Sequence, residues 1–267
     1  MTTDKSNQSN DDLKTEVERI DSMINSPQVV QRRSQSKLEH GYIRPRNAAT
    51  MILLDGTAKE PKILMGKRNK NLKFMPGALV FPGGSVDKLD GSVKSCSELT
   101  GNTENRLIAA MRGRPTRRGS RALGLAAIRE VAEESGLLIG KSGDFSAPSS
   151  DWNIFSERSV VPSLEGIRLF ARAITPPGLV RRFDTWFFLM HAKEVAFTPE
   201  NGFEPDGELE ELQWVHPEDA IMENTREITR VMLVELIRRL RGDPDLSDDY
   251  PAPYYHTVGK HFHKKMI

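Results

Sequence analysis

The sequence predicts a single α/β domain with a mixed β-sheet, preceded by a polar leader. Short runs rich in β-branched and aromatic residues alternate with helical stretches, but not in the regular repeat of a doubly wound parallel sheet. With 37% of its 267 residues hydrophobic and 28% charged, the chain can bury one large core. No internal repeat is visible, and no run approaches the roughly 20 apolar residues of a membrane helix.

Residues 1–40 lack the apolar stretch of a signal peptide and hold too many acids for a transit peptide. They read as a mostly disordered leader with a short helix near 11–24, and the expected home is cytoplasmic. "AATMILLD" (48–55) and "PKILMGKR" (61–68) read as strands around a Gly-containing turn, and "ALVF" (78–81) as a third ending at Pro82. "PGGSVDKLDG" is a loop. "RALGLAAIREVAEES" then predicts a helix of about four turns, closed by Gly136, the residue type favoured just past a helix C-terminus. "IRLFARAIT" (167–175), "DTWFFLMHA" (184–192) and "LQWV" (212–215) read as strands, and "PEDAIME" and "REITRVMLVELIRRL" as helices. The domain is expected over 41–242, with 243–267 a tail.

Lys plus Arg number 38 and Asp plus Glu 37, so overall charge offers no case for nucleic acid or an anionic membrane. Any grip on an anion must be local. The single cysteine, Cys96, excludes an internal disulfide and a cysteine-built zinc site, and reads as an incidental thiol.

The chemistry concentrates in "REVAEESGLL" (129–138). Glu130, Glu133 and Glu134 fall on one arc of the helix, opposite Leu125, Ile128, Val131 and Ala132. Like charges at this spacing destabilise a helix, so something must balance them. Clustered carboxylates beside a glycine loop suit a hard divalent cation, Mg²⁺ or Mn²⁺, with Arg129 holding one carboxylate in place. A solvated acidic face is the plainer alternative.

These residues resemble the signature of the Nudix hydrolase family, G-x5-E-x7-R-E-U-x-E-E-x-G-U, where U is aliphatic. Its second half matches without a gap from Arg129 through Glu130, Val131, Ala132, Glu133, Glu134, Ser135 and Gly136 to Leu137. Its first half runs from Gly84 to Asp90, where the family has Glu, and residues 91–121 are extra between the halves. Slow growth of closure entropy with loop length tolerates such an insertion. It carries five arginines from Arg112 to Arg121 and one helix around "ENRLIAAMR". It reads either as a lid or arm gripping anionic substrate, or as a solvated excursion.

The resemblance implies an α/β/α sandwich and hydrolysis of a diphosphate linkage. It implies metal ligation by Glu133, Glu134 and Glu130, with Glu130 also the candidate general base, oriented by Arg129. Gly83 and Gly84 would let backbone approach metals or phosphates closely. The stretch 63–90 further resembles the branch that includes peroxisomal coenzyme A diphosphatases, through Arg68, Leu72, Gly77, Val80, Phe81, Pro82, Gly83 and Gly84. Gly66, Asn69 and Lys73 depart from that pattern, and the final "KKMI" is not a peroxisomal address of the S-K-L type. The implied partner is a small nucleotide-type molecule, with coenzyme A or acyl-coenzyme A the leading choice.

Arg181 and Arg182, with Arg68, are candidate phosphate ligands. Phe183 and Trp186 either stack a base or belong to the core. Among Glu208, Glu210 and Glu211, where the family often brings in a further acid, Glu211 is the chosen additional metal ligand. His261 and His263 have no evident partner ligand and read as surface residues. Residues 249–257 either fold back on the domain or contact another subunit in a homodimer. Two other functions stay open: a non-catalytic nucleotide sensor, and removal of a diphosphate from an RNA 5′ end. Near-zero charge disfavours the second, and the arginine-rich insertion keeps it alive.

Overall fold

The computed structural model describes residues 22, 26–40, 43–57, 59–71, 76–179, 181–205, 207–258 and 261–267. Apart from Ser22, the helix expected near 11–24 lies outside them, as do Leu72 and Lys73. Helix α1 (Pro27–His40) forms within the leader expected to be mostly disordered. Pro27 opens it, where a missing N–H leaves no bond unmade.

Strands β1 (Arg46–Thr57) and β2 (Glu60–Arg68) form an antiparallel hairpin, longer than the sequence indicates. Gly56 makes the turn at φ +78°, and a Cβ there would lie 2.5 Å from the Glu60 carbonyl oxygen. Strands β3 (Leu79–Val80) and β4 (Gly83–Ser85) follow, and then helices α2 (Gly101–Ala110) and α3 (Arg117–Ser135). Next come β5 (Leu138–Ser142), α4 (Asn153–Glu157), β6 (Val160–Pro162), β7 (Arg168–Ile174), β8 (Phe183–His191) and β9 (Val195–Phe197). The chain continues through β10 (Leu209–Val215), α5 (Pro217–Met222), α6 (Glu227–Gly242), β11 (Pro253–Val258) and β12 (His261–Met266).

The main sheet runs β10-β2-β1-β8-β7-β11-β12, with β3 on β2 and β4 on β1. β1–β8 and β7–β11 are parallel and the other pairs antiparallel, so the sheet is mixed, as predicted. Strand alternation divides the core. Ala49, Met51, Leu53, Trp186 and Phe188 pack against α3, whereas Ile52, Leu54, Phe187 and Leu189 pack against Val231, Met232 and Leu236 of α6. Helices on both faces complete the α/β/α sandwich. Strands β6-β5-β9, too short to stand out in the sequence, form a second small sheet. Among the described residues no helix is long and apolar enough to cross a membrane.

Two expectations require correction. Residues 243–267 are no tail: β11 and β12 extend the sheet, Tyr254 pairs with Arg172, and Tyr254 and Tyr255 are buried. Residues 249–257 therefore fold back on the domain. The insertion is a solvated excursion only over its exposed, arginine-rich stretch 112–118, because Val93, Leu99 and Leu107 enter the core. Its helix α2 grips the C-terminal segment. Thr100 and Thr103 donate to the Asp248 carboxylate, and Arg106 donates to the carbonyls of Asp248 (2.8 Å), Tyr250 (2.8 Å) and Ile267 (3.1 Å).

Candidate active site

Thr116 caps the start of α3 by accepting from the Gly119 N–H at 3.0 Å. At the other end Gly136, at φ +76°, donates to the Ala132 carbonyl at 2.8 Å. Leu125, Ile128, Val131 and Ala132 are buried, which turns the acids toward the glycine loop.

That loop crosses directly over the carboxylates. β4 pairs with β1, Gly84 opposite Ala49 and Gly83 opposite Thr50. A Cβ on Gly84 would fall 2.5 Å from Glu130 Oε2, so only glycine leaves room for this carboxylate. The Gly83 N–H donates to Glu134 Oε2 at 2.8 Å, fixing a side chain only 2% exposed.

Arg129 ties the site together from a buried position. Its Nε and Nη2 reach the Asp90 carboxylate at 3.1 and 3.3 Å, and Nη2 also donates to the Ser85 carbonyl at 2.8 Å. Nη1 donates to Glu130 Oε1 at 2.9 Å and Glu133 Oε2 at 2.8 Å. Arg129 thus holds two of the helix acids, where one was expected. Asp90 Oδ2 accepts a further bond from the Asp87 N–H at 2.7 Å. Asp90 thus stands beside α3, although the insertion separates the two in sequence.

Asp90, Glu130 and Glu133 share this one guanidinium. Burial pushes the Glu130 carboxyl up to about 7; Arg129 opposes the rise, and the charges of Glu133 and Glu208 add to it. Burial likewise raises Asp90, against the pull of Arg129. Burial alone would lower Arg129, but Asp90, Glu130 and Glu133 hold it above its ordinary value.

A hard divalent cation fits this donor chemistry, since the oxygens are carboxylate. As placed, however, two carboxylates are turned onto Arg129, and among the described residues no three His, Cys, Asp or Glu side chains stand in metal-holding geometry.

The remaining candidates separate. Arg68 pairs with Glu208 at 2.6 Å, and of its segment Glu208 is the acid whose charge reaches Glu130. Glu211, the acid chosen from sequence, is turned away. It sits at φ +48° where the β10–β2 register shifts, and its exposed carboxylate pairs with Lys67 at 2.6 Å. Arg182 is not placed to bind substrate: it is buried, and donates to the carbonyls of Thr175 (3.1 Å) and Ile43 (2.5 Å). Arg181 is exposed and Phe183 half-buried. Trp186 belongs to the core, where the Arg172 guanidinium lies 4.2 Å from its ring centroid. Sequence reasoning passed over Glu208, although it belongs to the same acidic run as Glu211, and missed the buried Arg172–Asp184 pair.

No family model matches the chain. The chain is 31% identical over 195 residues to a Caenorhabditis elegans protein with the provisional name nudix hydrolase 7, covering 67% of this chain and 54% of that one. The chain thus spans about half the length of this curated relative. Among solved structures, a NUDIX hydrolase from Alicyclobacillus acidocaldarius matches with a TM-score of 0.55 and 25% identity, over 75% of this chain and 93% of the other. The NUDIX domain of Shewanella oneidensis NrtR, solved with ADP ribose, aligns with a TM-score of 0.42 and 11% identity, over 77% and 97%.

Proposed function

The chain belongs to the Nudix hydrolase family, and we propose that it hydrolyses a diphosphate linkage in a nucleoside diphosphate joined to another moiety. The observation behind this reading is the buried Arg129 cluster, in which Asp90, Glu130 and Glu133 share one guanidinium while the Gly83 N–H orients Glu134.

Glu133, Glu134 and Glu130 would hold Mg²⁺ or Mn²⁺, which neutralises nonbridging phosphate oxygens and lowers the pKa of water. Turning Glu130 or Glu133 away from Arg129 is then part of taking up the ion. Glu130 is the general base or a further metal contact; as base, its carboxylate accepts a proton from the attacking water. The water oxygen bonds to one phosphorus, the bridging P–O bond breaks, and two monophosphate fragments leave. Asp90 holds Arg129, and Arg129 in turn sets the rotamers of Glu130 and Glu133.

Coenzyme A or acyl-coenzyme A is the substrate proposed first, supported by Arg68, Gly77, Val80, Phe81, Pro82, Gly83 and Gly84. The test is product release from purified protein with Mg²⁺ or Mn²⁺, beside Glu134→Gln. The panel is coenzyme A, acyl-coenzyme A, ADP-ribose, NADH, diadenosine polyphosphates and 5′-triphosphorylated RNA. Cleavage of one compound at its diphosphate, lost in the variant, is expected. Binding of a nucleotide without turnover would replace the enzyme with a sensor.

A further inference from the structure

β11 and β12 carry histidines that the hydrolytic site does not use. His256 and His263 are register partners across the two strands, with ring centroids 6.3 Å apart and planes at 40°. The His256 ring is held on its other side by Tyr254, stacked at 4.6 Å and 18°. Its Nδ1 is buried and has no hydrogen-bond partner. Such a nitrogen has lost water without replacement, an unfavourable state that a bound group would relieve. The sequence offered only His263 and its neighbour His261, with no further ligand in sight. Strand pairing supplies one, His256.

We propose that His256 and His263 form a two-imidazole site for a borderline transition-metal ion of the Zn²⁺, Ni²⁺ or Cu²⁺ type, with water completing its coordination. Two imidazoles on one ion, each with a nitrogen–metal distance of about 2 Å, hold their ring centres about 5 to 6 Å apart. The observed 6.3 Å lies just beyond that range, and His263 is exposed. Lys264 pairs with Glu235 at 2.6 Å, and Lys265 lies over the Tyr254 ring at 5.1 Å. Imidazole selects this class of ion over Mg²⁺, the reverse of the carboxylate cluster on α3.

The test is calorimetric titration of the untagged full-length chain with NiCl₂ in excess Mg²⁺, which keeps the carboxylate cluster occupied. One saturable event per chain is expected. It should weaken at least tenfold in His263→Ala and in His256→Asn, and persist in Glu134→Gln. Ni²⁺ should also raise the melting temperature of the wild type but not of His263→Ala. His263 is exposed, so that variant tests the site without disturbing the core. The proposal fails if the wild type does not bind Ni²⁺, if His263→Ala binds equally well, or if Glu134→Gln abolishes the event.

Discussion

Two buried arginines on the same side of the sheet are built to opposite ends. Arg172 faces a single acid, Asp184, at 2.7 and 2.6 Å, donates its remaining nitrogen to the Ala110 carbonyl, and lies between the rings of Trp186 and Tyr254. Its charge is matched one for one and its donors are used. Arg129 faces three acids, Asp90, Glu130 and Glu133, with Glu134 close by. A one-to-one pair holds strands and insertion together; several carboxylates around one guanidinium gather oxygen ligands of the kind a hard cation takes. The number of acids on the guanidinium, rather than burial, separates the two clusters.

The largest effect should come from breaking the balanced cluster. Arg172→Met leaves Asp184 buried and unpaired, and should destabilise the protein by about 3–5 kcal/mol in chemical denaturation. Stability of metal-free protein should next depend on pH through Glu130. Its folded pKa of about 7 lies above the ordinary 4.5, so the folded state binds the extra proton between those values. Glu130's own contribution is then full below about 4.5 and is lost as pH rises through about 7, by about 3 kcal/mol. A denaturation series in EDTA checks this, and added Mn²⁺ should flatten the slope. Asp90→Asn, which weakens the hold on Arg129, should lower Mn²⁺ affinity about 10–100-fold in a binding titration. The smallest effect should separate two neighbours: Glu208→Gln lowers the Glu130 midpoint in a carboxylate titration followed by NMR, and Glu211→Gln leaves it in place.

The two clusters also differ in how legible they are. Helix α3 shows its apolar stripe, its acids and its closing glycine within one short stretch, so local periodicity suffices. Asp90 is visible too, through its spacing from Gly84. Arg172 and Arg182 look like any strand arginines, because what defines them are carbonyls and rings supplied by distant segments, Ala110, Ile43 and Tyr254. The docking of the insertion was equally hidden, since Thr103 and Asp248 lie 145 residues apart. Glu208 and Glu211 differ by a local shift in register, which composition does not encode.

The position of β1 between β2 and β8 has a consequence for how this protein is made. β1 meets β2 at once through its hairpin, but its parallel neighbour β8 is synthesised only after the glycine loop, the insertion and α3. Until Phe183–His191 leaves the ribosome, Leu125, Ile128 and Val131 have only part of their packing surface. Such non-local pairing folds slowly, and the nascent chain meanwhile exposes an apolar helix face. The acidic cluster leaves the ribosome before β8, and the interval until β8 emerges is when the chain is most exposed to aggregation.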